Sequence, residues 1–185
     1  PNVDTGRIDY GFQLRTDGWL IHPYIIVEIR RSGRLNERDL DEIEQTDVAP
    51  LVREEQRKAA PIATNLRFDR PAYDREADII WSRIQADVAN TGPVIGLLAC
   101  APTEQGLVRV YALARSTEFA NYEEAFRASL GTLKVDPSIA YQHSAFSAGG
   151  PRTRAGAIFT LVGTAVGVLV LIVLVIYVTR RWVSG

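Results

Sequence analysis

The sequence predicts an α+β protein: an antiparallel sheet of four to five strands with helices packed on one face, plus one C-terminal transmembrane helix. Three observations predict it. Residues 155–178 are 24 consecutive residues without a charge, AGAIFTLVGTAVGVLVLIVLVIYV. Three strand-like runs follow one another between residues 77 and 115, separated only by turn residues. Helical patterns stand before and after those runs.

Residues 1–18 mix Gly, Asp, Thr and Arg and read as an N-terminal arm, with one short strand over 10–14. The soluble α+β domain is expected over 19–135. Its strongest strand is Trp19–Arg31, rich in β-branched and aromatic residues, and Pro23 predicts an edge position or a late strand start. Asn36 is a candidate N-cap for a helix over Glu37–Glu44. A second helix is expected over Val48–Ala60, with Pro50 in its first turn and Pro61 as its stop. Ile62–Asp69 reads as a strand and Arg70-Pro71 as a turn.

The meander comes next: Ala77–Ala89, Val94–Ala101 and Gly106–Arg115. In the first run Ile80, Ser82, Ile84, Ala86 and Val88 alternate with Trp81, Arg83, Gln85 and Asp87, the period of a strand, with a helix as the rival reading. Asn121 and Glu124 have capping-box spacing, and the apolar residues that follow predict an amphipathic helix over Tyr122–Lys134. Residues 136–154, with Gly149-Gly150-Pro151, read as the linker to the span.

A hydrocarbon core of about 30 Å needs roughly 20 apolar residues at about 1.5 Å each, so residues 155–178 suffice to cross it with some tilt. The first half is rich in small residues. Gly163 and Gly167 form a GxxxG pair, and Gly156, Thr160 and Thr164 repeat at the same spacing. Such residues let another helix approach closely where lipid supplies no hydrophobic drive. Tyr177, Arg180, Arg181 and Trp182 are placed as membrane-interface anchors, and 179–185 is a short basic tail. That Arg pair lies closer to the span than Arg152 and Arg154, which favours a cytoplasmic C-terminus and an extracytoplasmic (periplasmic) domain; a cytoplasmic domain is the alternative.

Charge is unevenly spread. Residues 1–150 hold 17 basic and 22 acidic side chains, a net of −5, and the four remaining arginines follow. An acidic domain lacks the basic footprint of a nucleic-acid binder, so no nucleic acid is expected as a partner. Cys100 is the single cysteine, inside an apolar run, and reads as a buried small hydrophobe. The first residue, Pro1, fits either an initiator-trimmed N-terminus or a chain cut by a protease other than a signal peptidase.

The chemistry-bearing residues are few. His22 and His143 are the only histidines, and with Cys100 they have no metal-ligand spacing. No nucleophile elbow, P-loop or dinucleotide fingerprint is present. Asp39–Glu44 and Glu54-Glu55 read as solvated helix faces, Glu123-Glu124 as a helix-start pair, and Glu28 as one half of an ion pair with Arg30 or Arg31. The span has no His to offer a porphyrin metal. No cofactor, no metal and no enzymatic activity are expected.

His22-Pro23-Tyr24-Ile25-Ile26-Val27-Glu28-Ile29 followed by Ser32-Gly33-Arg34, then Pro71-x-Tyr73-Asp74, a strand holding Trp81, a hairpin and a helix ending before Tyr141, resembles one group of bacterial proteins. These are the membrane-anchored proteins of the "domain of unknown function 2167" type, and the resemblance covers about residues 20–141. It implies an extracytoplasmic domain and no activity. Such proteins begin with an export signal and a further stretch, so this chain is expected to be a trimmed form. The expected function is that of a non-catalytic accessory subunit docking on membrane-embedded subunits of a larger complex in the lipid bilayer, an energy-transducing one, photosynthetic or respiratory, being a natural host. The alternative is a stand-alone tethered domain for a ligand or peptide.

Overall fold

The computed structural model describes residues 10–13, 22–31, 34–35, 37–45, 47–59 and 63–143. Among them no helix is long and apolar enough to cross a membrane. The apolar run 155–178 and the tail 179–185 lie outside the described residues.

Seven strands are described: β1 (Tyr10–Gln13), β2 (Tyr24–Arg30), β3 (Ala63–Phe68), β4 (Ala72–Asp74), β5 (Ile79–Val88), β6 (Gly92–Thr103) and β7 (Gly106–Arg115). The helices are α1 (Glu37–Glu42), continued by a 3₁₀ turn over Ile43–Gln45, then α2 (Ala49–Ala59) and α3 (Ser116–Gly131). All strands join one antiparallel sheet in the order β1-β2-β7-β6-β5-β3, and β4 shares the outer edge of β5 with β3. The count exceeds the expected four to five for two reasons. The arm's Tyr10–Gln13 pairs with β2, and β4 has three residues, too few to show a period. β2 starts directly after Pro23, as a late strand start requires.

The expectation of helices on one face is corrected. Tyr24, Ile26, Ile80, Ile84, Leu98, Tyr111 and Leu113 form one core with Leu40, Ile43, Val48 and Val52 from the α1–α2 region. Leu97, Ala99, Val110, Ala112 and Ala114 form a second core with Phe119, Phe126 and Leu130 of α3. The physical reason lies in β6 and β7, which are buried almost throughout on both faces and mainly apolar there, Arg109 being the one buried charge. A strand of that kind needs cover on both sides.

Helix α3 also begins six residues earlier than expected, directly at the end of β7. Arg115 is its N-cap and makes no side-chain cap bond, so the Asn121–Glu124 spacing is not a capping box. Phe119, 1% exposed, decides the start, because it is the first anchor of the helix on the sheet. Glu123 is therefore not a helix-start residue; it pairs with Arg127 at 3.0 Å and Arg83 at 3.6 Å.

The sheet encloses a charged group. Glu28 and Arg109 are both 0% exposed and stand directly opposite each other on β2 and β7. Arg109 Nη1 donates to Glu28 Oε2 at 3.2 Å, Tyr111 OH donates to the same oxygen at 3.2 Å, and Arg30 Nη2 lies 2.5 Å from Oε1. The expected partner pair is thus half right: Arg30 shares the face of Glu28, whereas Arg31 is exposed and the second cation comes from β7. Cys100 is opposite Arg109 on β6, fully buried, and burial pushes its thiol up to about 12.

Removing one member of a buried ion group leaves the others uncompensated, at a cost of about 3–5 kcal/mol. Glu28→Gln is expected to destabilise the chain by about that amount in urea unfolding followed by tryptophan fluorescence. A midpoint unchanged from wild type would show that the group is not buried in solution.

Candidate functional site

The described chain ends at a cluster of polar side chains where the domain leads towards the apolar run. After α3, Asp136 turns the chain: its carboxylate accepts from Ser138 N at 2.8 Å and Ser138 Oγ at 2.6 Å, and its carbonyl accepts from Ala140 N at 2.9 Å. The Ser138 bonds hold the Asp136 carboxyl below its usual range. Ala140 then bridges Thr103 at the β6–β7 turn, and Glu104 N donates to Ile139 O at 3.0 Å. Tyr141, 8% exposed, enters the core on the α1–α2 side. The segment 136–143 therefore crosses the end of the sheet from the α3 face to the other. This corrects the reading of 136–154 as linker throughout, because Tyr141 has an apolar site to fill.

Arg34 holds the segment from one side. Its Nε is 3.3 Å from Glu104 Oε1, its Nη2 donates to Gln142 O, and its guanidinium lies 4.8 Å from the centre of the Tyr141 ring. Glu104 Oε1 also accepts from Gln142 N at 2.9 Å. His143 holds it from the other side. Its Nδ1 is 3.1 Å from Glu37 Oε2 at the start of α1, and its Nε2 is 2.7 Å from Asp78 Oδ1 before β5. Asp78 Oδ1 further accepts from Tyr73 OH at 2.7 Å, and Glu44 Oε1 accepts from Tyr73 N at 2.9 Å. An Arg75–Asp41 ion pair closes the rim, and both of its side chains stay exposed, as a solvated helix face requires.

Two carboxylates on one imidazole favour the cation, since both ring nitrogens then donate. The bonds to Glu37 and then Asp78 raise the His143 pKa above its ordinary 6.5. Burial, then Glu37, pushes the Tyr141 phenol up to about 12, and burial, then Asp78, raises the Tyr73 phenol as well. With both nitrogens committed, the ring as placed works as a clamp on the exit segment.

His22, His143 and Cys100 have no metal-ligand spacing in the sequence. The structure separates them: Cys100 has Arg109 and Glu28 as its charged neighbours, and His22 precedes β2. Among the described residues no group of three His, Cys, Asp or Glu is arranged to hold a metal. Gly156, Thr160, Gly163, Thr164, Gly167, Tyr177, Arg180, Arg181 and Trp182 lie outside the described residues. Sequence reading missed Glu37, Asp78, Arg34 and Glu104 as members of one cluster. The only local signal is Asp74-x-x-x-Asp78, a turn whose ends the structure binds to different partners.

A second feature stands on the α3 face. Tyr10, Phe12 and Ile29 are 59%, 62% and 43% exposed at the β1–β2 margin, with Ile25 and Val27 half-buried between them. Comparison with protein-family models, with curated proteins and with solved structures finds no match to this chain.

The clamp titrates with a defined sign. A raised folded pKa stabilises the docked segment fully below about 6.5, and that contribution is lost as pH rises through the raised value. NMR titration of the His143 ring is expected to give a pKa above 6.5, with Glu37→Gln and Asp78→Asn each moving it back. A wild-type value at or below 6.5 would mean that the carboxylate contacts are not made in solution.

Proposed function

We propose that this chain is a non-catalytic, membrane-anchored accessory subunit that docks on a larger integral-membrane complex and stabilises it. The observation that carries the reading is the uncharged run 155–178 with its small-residue face. On this reading residues 155–178 cross the bilayer once, Gly156, Thr160, Gly163, Thr164 and Gly167 meet a neighbouring helix, and Tyr177, Arg180, Arg181 and Trp182 mark the interface. The domain stands on the extracytoplasmic side. Photosynthetic and respiratory assemblies are the hosts that fit a single-span subunit of this kind.

Two features of the domain support the docking reading. The segment that leads towards the apolar run is fastened to the domain as far as Tyr141 and His143. The exposed apolar margin at Tyr10, Phe12 and Ile29 is the kind of surface that monomers usually cover. A second reading, a tethered ligand- or peptide-binding domain, draws on the open groove between α2 and β3.

Mild detergent extraction and purification through this chain, followed by mass spectrometry, tests the proposal. Stoichiometric membrane proteins are expected to accompany it; migration as a free 20.5 kDa species would sink the accessory-subunit reading. The Gly163→Leu/Gly167→Leu double variant is expected to lower retention about tenfold, as loss of about 1–2 kcal/mol of helix packing would. Its domain should melt as wild type does. Unchanged retention of that variant would remove the helix-packing role.

A further inference from the structure

The groove between α2 and β3 has a volume of about 430 Å³. Its floor is apolar: Val52 and Leu66 are buried and Phe68 is half-buried. Its lining carries three exposed arginines, Arg53 on α2, Arg67 on β3 and Arg70 just beyond. The arginines elsewhere in the domain mostly have carboxylate partners: Arg30, Arg34, Arg75, Arg83, Arg109 and Arg127 all pair. Arg53, Arg67 and Arg70 make no ion pair among the described residues. Two aspartates share the lining, and one of them, Asp47, already accepts from Ala49 N at 2.9 Å.

We propose that this groove docks a short acidic segment of a partner protein, with an apolar side chain on the floor and flanking carboxylates on Arg53, Arg67 and Arg70. Charge complementarity chooses the occupant. Three arginines against Asp47 and Asp69 leave the lining at net +1 within residues 1–150 of net −5, so a short acidic stretch meets attraction at the guanidinium groups and repulsion around them. A long polyanion such as a nucleic acid, or an anionic bilayer, would meet that repulsion over its whole length. The fork of each guanidinium suits a carboxylate, and the apolar floor selects a segment with a hydrophobic residue between its acids. The proposal deepens the docking reading by giving the domain its own contact, separate from that of the apolar run.

The full chain in mild detergent can be titrated into a fluorescein-labelled peptide, Glu-Asp-Leu-Glu-Phe-Asp-Glu, and into its counterpart with Gln and Asn in place of the acids. Fluorescence anisotropy reads the binding. Saturable binding of the acidic peptide is expected, about tenfold or more tighter than the amide peptide and weakened by salt. The Arg53→Glu/Arg67→Glu double variant should weaken it by about tenfold or more with an unchanged circular dichroism spectrum, and Arg57→Glu, exposed on α2 but outside the groove, should not.

Equal affinity for both peptides would overturn the proposal, as would no saturation at about 1 mM. So would an Arg57→Glu loss as large as the groove variant's, or a single-stranded oligonucleotide that binds more tightly than the peptide. Failure here with intact co-purification of membrane subunits removes the groove alone; loss of co-purification with intact peptide binding removes the anchored-subunit reading alone.

Discussion

A carboxylate with no access to water stands between β2 and β7, and the register of β2 depends on it. Glu28 of β2 faces Arg109 of β7, 81 residues away, with Tyr111 and Arg30 on the same face. A slip of one residue would turn Glu28 to the opposite face, where the second core offers it Val110, Ala112 and the rings of α3. The hydrophobic pattern of β2 alone tolerates such a slip, because Ile25 and Val27 on one face resemble Tyr24 and Ile26 on the other. The buried ion group does not tolerate it. Because α1 and α2 follow β2, the choice of its register also decides which residues meet Leu40, Ile43, Val48 and Val52.

From that register the two sides of the sheet acquire different characters. The α1–α2 side is closed, and its end is fastened by Arg34, Tyr141 and His143. The α3 side is closed only over β6 and β7, since a single helix of 16 residues covers the centre and leaves the β1–β2 margin exposed. The domain thus combines a fastened segment 136–143, an open apolar margin and an arginine-lined groove at the β3 edge. The proposed docking role rests on these features together with the uncharged run 155–178.

Much of the fold was legible because it is local. The alternation Ile80, Ser82, Ile84, Ala86, Val88 marks β5, the β-branched run marks β2, and Pro61 marks the end of α2 to within two residues. Where two signals competed, the sequence misled. Asn121 and Glu124 have the spacing of a cap, yet burial of Phe119 on the sheet starts α3 before them. A cap bond is worth about 1 kcal/mol, and a buried phenylalanine about 1.5–3 kcal/mol. β4 was invisible because Tyr73 finds its place only once Ile80 lies opposite and Asp78 receives its hydroxyl.

By itself the sequence determined the properties that neighbouring residues set together: the uncharged run 155–178, the acidity of residues 1–150, the meander, and the burial of Cys100. Only the tertiary structure decided which charges meet. His143 reaches Glu37 across 106 residues, and Glu28 reaches Arg109 across 81. Pairs so distant are made by the order in which strands join a sheet, and that order is a property of the whole core. It also put helices on both faces, because β6 and β7, buried on each side, became central strands only once β2 and β5 had paired to either side of them.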